Sequence, residues 1–78
     1  APFRIHADAK LSVSWPRAGT RITQVLDAKR RHYLHVALGA VSVGERPLKA
    51  GDALLMEGES SLELQAVTDS EVLLFELP

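Results

Sequence analysis

Three histidines, ten carboxylates and no cysteine are the groups in this 78-residue chain whose types suit catalysis or metal binding. A metal centre needs several of them converging on one ion at about 2.0–2.2 Å. Only His32 and His35 stand close together, and their offset of three places them on opposite faces of an extended strand. They cannot chelate one ion from a regular strand. His35 with Tyr33 therefore reads as a packing or interface feature, and His6 beside Asp8 as a polar residue closing a first strand. Ser12, Ser14 and Ser42 take positions read as outward, with no acid–base partner at the spacing of a hydrolytic triad. Gly39, Gly44 and Gly51 are separated turn glycines, not a phosphate-cradling loop. Glu57, Glu59, Ser60 and Ser61 read as a solvated acidic turn.

The elements that would carry these residues are almost all strands. Period-two alternation predicts strands over Phe3–His6, Lys10–Trp15, Thr20–Leu26, His32–Leu38, Ala40–Val43, Ala53–Met56, Ser61–Val67 and Glu71–Leu77. In the second of these, Leu11, Val13 and Trp15 share one face, read as the core face, with Trp15 in the core or at a barrel mouth. Ile22 and Leu26 share a face with Gln24. Asp27–Arg31 is a loop or a single helical turn. Gly39 predicts a kink, bulge or corner, Gly44-Glu45 a hairpin turn, and Pro47 an edge position or loop that tolerates a missing N–H. Ser61–Val67 turns Leu62, Leu64 and Ala66 inward and Glu63 and Gln65 outward. Glu71–Leu77 is apolar on both faces, which predicts a strand lying between two layers.

Eight or nine short strands without an amphipathic helix make the chain all-β, a sandwich or an antiparallel barrel. Closure is the expected solution, because an open sheet of this size would leave apolar edges free to associate. The length sets a single domain over residues 1–78. A 46% hydrophobic content excludes a chain disordered by composition. Net charge of −1 gives no field for nucleic acid or an anionic membrane, and Lys29-Arg30-Arg31 reads as a solvated strand entry. No apolar run approaches the roughly 18–20 residues of a membrane span, and no signal-peptide core is visible at the start. Together with the missing cysteines, this gives a soluble cytoplasmic protein as the expectation. The strand-like start at Phe3–His6 further suggests a piece of something longer.

The stretch Val36-Ala-Leu-Gly-Ala-Val-Ser-Val43 followed by Leu48-Lys-Ala-Gly-Asp52 resembles the paired glycine motifs of the cupins, small jelly-roll β-barrels. Ile5–Leu11, Tyr33–Val36, Leu48–Asp52 and above all Glu71-Val-Leu-Leu-Phe-Glu-Leu-Pro78 extend the likeness to nearly the whole chain. They resemble the C-terminal half of the pirin-like bicupins, relatives of pirin that include bacterial quercetin 2,3-dioxygenases. The resemblance implies a cupin-type jelly roll whose metal and dioxygenase chemistry belong to an N-terminal half, held there by three histidines and a glutamate. In the cupin frame His32 takes the glutamate position, Val25 to Ala28 the His-x-His pair, and Leu54 the last histidine. Only His32 can ligate there, with Asp27 as one further oxygen donor, so no metal and no cofactor are expected.

The function read from this is a non-catalytic domain that buries one sheet face against a partner, either a second copy in a homodimer or a missing N-terminal cupin half. Glu71–Leu77 motivates it, since one of its faces lacks an evident cover. The alternative is a small-molecule binding module in the barrel interior. Gln24 and His32 would supply polar contacts there, in a pocket lined by Trp15, Leu34, Val36 and Leu54. A metal-dependent dioxygenase is the third reading.

Overall fold

The computed structural model describes residues 10–77, in which eight antiparallel strands form two sheets. They are β1 (Lys10–Ser14), β2 (Arg21–Val25), β3 (Arg31–Leu38), β4 (Ala40–Val43), β5 (Arg46–Lys49), β6 (Ala53–Glu57), β7 (Ser61–Ala66) and β8 (Glu71–Leu77). The expected strand Phe3–His6, with His6 and Asp8, lies outside the described residues. One sheet, here sheet A, runs β1-β8-β3-β6, and sheet B runs β2-β7-β4-β5. That order is the double-sheet jelly roll of eight strands. No described strand ladder joins the two sheets, so the expected closed barrel is corrected to two open sheets facing each other. The alternation that predicted a barrel specifies an inner and an outer face equally well for either arrangement, and closure needs edge pairing that alternation does not encode.

The core lies between the sheets. Leu34 and Val36 from β3, Met56 from β6 and Val72 from β8 meet Val41, Leu48, Leu62, Leu64 and Ala66 from sheet B, with Leu26 closing one end. Alternate residues of β7 are buried, as its sequence predicts. Gly39 is the corner at which the chain leaves sheet A for sheet B. Its φ of +81° lies in the region that only glycine enters freely. A Cβ there would also strike the Asp69 carbonyl oxygen and the Ser70 hydroxyl, so no larger residue fits without moving backbone. Gly44 begins the two-residue loop of the β4–β5 hairpin with φ +60°, the position glycine takes in a type II′ turn. Pro47 lies on β5, an edge strand, where its missing N–H removes no ladder bond from an interior strand. Asp27–Arg30 is a turn, with Lys29 N–H donating to Asp27 Oδ1 at 2.9 Å and Arg30 N–H to the Asp27 carbonyl at 2.9 Å.

The facing of β1 is reversed from the expectation. Leu11 and Val13 pair with Phe75 and Leu73 on the outer face of sheet A, and Trp15 is 69% exposed. Ser12 and Ser14, expected outside, line a narrow cleft between the sheets. The reason is the neighbouring strand: β8 is apolar on its outer face too, so the apolar side of β1 gains contacts there and leaves its serines inward. Among the described residues, no helix is long and apolar enough to cross a membrane.

Candidate functional site

The six residues read as a pocket do not converge. Gln24 and Leu34 share the narrow cleft between the β1 and β2 edges, with Ser12, Ser14 and Leu74. That cleft holds about 50 Å³, room for a few waters and far below the ~300 Å³ at which small-molecule pockets begin. His32 and Val36 are fully buried in the core. Leu54 lines a separate cleft beside β6, and Trp15 a shallow depression at the end of the sandwich with Pro16, Leu38 and Glu71. Placing Trp15 in the core or at the mouth of an interior pocket is thus corrected.

His32 has a neighbour that the sequence does not announce. The β3–β8 register sets it opposite Glu76, with Nε2 3.7 Å from Glu76 Oε1. This separation is within ion-pair range but too long for a hydrogen bond, and both ring nitrogens are buried without a hydrogen-bond partner. The other Glu76 oxygen faces Arg30 Nε at 3.4 Å, and Arg30 also approaches Asp27 Oδ2 at 3.8 Å. A cupin-type metal would need a larger donor set than this. No three His, Cys, Asp or Glu side chains come together among the described residues, and a guanidinium already sits against Glu76. The residues do not fit a cupin-type metal.

What the fold does assemble is an apolar surface on the outside of sheet A. Adjacent-strand register lines up Leu11, Phe75, Tyr33 and Leu55 in one row across all four strands. Val13, Leu73, His35 and Ala53 form the next row. Tyr33 and Phe75 meet edge to face, with ring centroids 6.0 Å apart. Trp15 and Leu38, both more than half exposed, extend the surface on either side of Glu71, and Leu77 and Arg31 close the opposite end. With strands about 4.8 Å apart and rows about 6.7 Å apart, the surface covers on the order of 300–400 Å². Lone exposed apolar residues are ordinary, and a contiguous patch of this size is about that of the largest one on a typical monomer, which is often functional. No described residue covers it.

The outer face of sheet B is different. Arg21, Thr23, Ser61, Glu63, Gln65, Ser42, Pro47 and Lys49 occupy its outward register positions, and Arg21 Nη2 donates to Gln65 Oε1 at 3.5 Å. Val25, 82% exposed, is its large apolar exception.

The family model of the quercetinase C-terminal cupin domain matches residues 1–77. A Pseudomonas aeruginosa protein, PA1210, named as a candidate quercetin 2,3-dioxygenase, is 37% identical over 75 residues. The match covers 96% of this chain and 32% of that protein. The crystal structure of YhhW from Escherichia coli superposes with a TM-score of 0.89 at 30% identity, covering 95% of this chain and 32% of YhhW. A second structure of YhhW, described as a bacterial pirin in complex with nickel(II), gives the same TM-score at 29% identity over 97% of this chain and 33% of that one. An RmlC-like cupin from Desulfovibrio desulfuricans shares the fold, with a TM-score of 0.77 at 18% identity, 97% of this chain and 77% of that chain. The chain thus spans about a third of the length of its pirin-like relatives.

Proposed function

This chain belongs to the quercetinase C-terminal cupin domains of the pirin-like proteins, and from that premise we propose that it is a non-catalytic structural and protein-interaction domain. Its outer sheet A face docks against the cupin half that makes up the rest of a pirin-like protein. The observation that carries this reading is the apolar surface from Leu11 to Leu55 and from Trp15 to Leu77, which no described residue covers. The choice of occupant rests on length, because the relatives hold roughly two further thirds of chain beyond the matched part. Covering ~300 Å² of apolar surface is worth on the order of 7 kcal/mol before the costs of association, enough to fix two tethered domains together. The missing cysteines favour a reducing, cytoplasmic setting for this assembly.

Calorimetric titration of this domain with the N-terminal two thirds of the Pseudomonas relative tests the proposal. Saturable binding that Leu73→Asp abolishes is expected. Absence of binding, or binding indifferent to Leu73, contradicts it. Sedimentation of the domain alone separates the homodimer, in which the same face meets a second copy with a concentration-dependent mass. The small-molecule reading keeps one observation in its favour, the polar Gln24, Ser12 and Ser14 around an apolar floor. A small molecule that protects the Gln24 side-chain amide from exchange would support that reading.

A further inference from the structure

At the opposite side of the sandwich from β1, the two sheets leave a cleft. β6 is the last strand of sheet A, and its far backbone edge pairs with no described residue. In sheet B, β4 pairs with β7 only from Leu64 to Ala66, because the chain turns away at Gly44. Ser61–Glu63 therefore pairs with β2 on one side and has a free backbone edge on the other. Between these two edges is a cleft of about 550 Å³. Four consecutive residues of β6, Leu54 to Glu57, line it, as do Ser61 to Glu63 of β7. Consecutive strand residues point to alternate faces, so a wall containing both parities presents the backbone edge itself.

The chemistry of the cleft selects its occupant. Val43, Leu54, Met56 and Leu62 supply an apolar floor. Glu57, Glu59 and Glu63 stand around it against the single cation Arg46. None of these three carboxylates has an ion-pair or hydrogen-bond partner among the described residues. Free backbone groups call for an extended chain, an apolar floor for side chains on one of its faces, and unpaired carboxylates for cations on the other.

We propose that this cleft binds an extended peptide segment of alternating apolar and basic residues, which adds as a strand along the free edge of β6 or of Ser61–Glu63. The site meets the outer face of sheet A at Leu55 and Glu57 on the β6 rim, but it rests on the free strand edges between the sheets and stands whether or not that face docks a cupin half. Five residues of β6 correspond to about 17 Å of extended chain, so the segment engaged is five to six residues long.

The test is an amide NMR titration with a capped seven-residue peptide alternating lysine and valine, alongside the same peptide with glutamate for lysine. Expected is saturable binding of the lysine peptide alone, with shifts and slowed hydrogen exchange confined to Ala53–Glu57 and Ser61–Glu63. The double variant Glu57→Gln/Glu63→Gln, on exposed positions that leave the fold intact, weakens that binding by roughly fivefold or more. Equal binding of the glutamate peptide, shifts centred on the outer face of sheet A, or no saturation at millimolar peptide overturns the proposal. So does slow exchange of the Ser61–Glu63 and β6 amides facing the cleft in the free protein, which would mean the edges are already paired. Spermidine producing the same shifts with the same affinity would overturn the peptide as occupant.

Discussion

The outer faces of the two sheets are built from the same kind of strand and reach opposite solutions. Sheet B turns Glu63, Gln65, Thr23 and Lys49 to solvent, while sheet A turns Phe75, Leu73, Tyr33 and Leu55 to the same side of its own plane. The inner faces differ far less, since both sheets contribute buried Leu and Val to one core. The core needs one apolar face per sheet, and the second apolar face of sheet A adds nothing to it. That surplus is the feature on which the proposed docking rests.

The largest expected effect is at the corner joining the sheets. Gly39→Val should cost about 3 kcal/mol or more, because it combines a disfavoured φ with a backbone collision. Chemical denaturation reads this directly, and a loss below about 1 kcal/mol would show that the corner relaxes. Next come substitutions that set inner against outer positions on one strand. Leu34→Ala, at 1% exposure, should lose about 2–4 kcal/mol, while Leu55→Ser, at 51%, should stay within about 0.5 kcal/mol. Equal losses at both positions would break the distinction between the faces. The pair Val13→Lys/Leu55→Lys should weaken docking to an N-terminal cupin half by about a hundredfold while leaving the domain folded. Thr23→Lys/Gln65→Lys on sheet B should leave docking within about twofold. The smallest effect concerns His32. Replacing its buried imidazole, whose ring nitrogens have no hydrogen-bond partner, with leucine removes two unsatisfied polar atoms, so His32→Leu should be neutral or stabilising by up to about 1 kcal/mol. A loss of more than about 1 kcal/mol would show that the imidazole is hydrogen-bonded in solution, with Glu76 the nearest candidate.

How much of this was legible in the sequence depended on what each strand faced. β7 was readable residue by residue, because its outer side meets water and its inner side meets the core. The corner at Gly39 was readable because glycine enters a φ there that other residues avoid, whereas β5 was not read as a strand and Pro47 fitted an edge position or a loop alike. β1 was read with its faces exchanged, since Leu11 and Val13 look like core residues whichever apolar surface they meet. The two-sided character of β8 was visible, and it was the one sign of an apolar outer face on sheet A. The rows that make it a surface depend on cross-strand register, which no single strand encodes. The same blindness hid Glu76 from His32, and the cleft beside β6, whose walls come from strands that end before their neighbours do.

In the proposed assembly the outer face of sheet A, and not that of sheet B, receives the rest of a pirin-like protein. Methyl NMR of this domain, titrated with the N-terminal two thirds of the Pseudomonas relative, addresses it most directly. The account predicts saturable shifts at the methyls of Leu11, Val13, Leu55, Leu73 and Leu77, with Val25 on sheet B unmoved. Shifts centred on Val25, or no saturable change at the sheet A methyls, would contradict it.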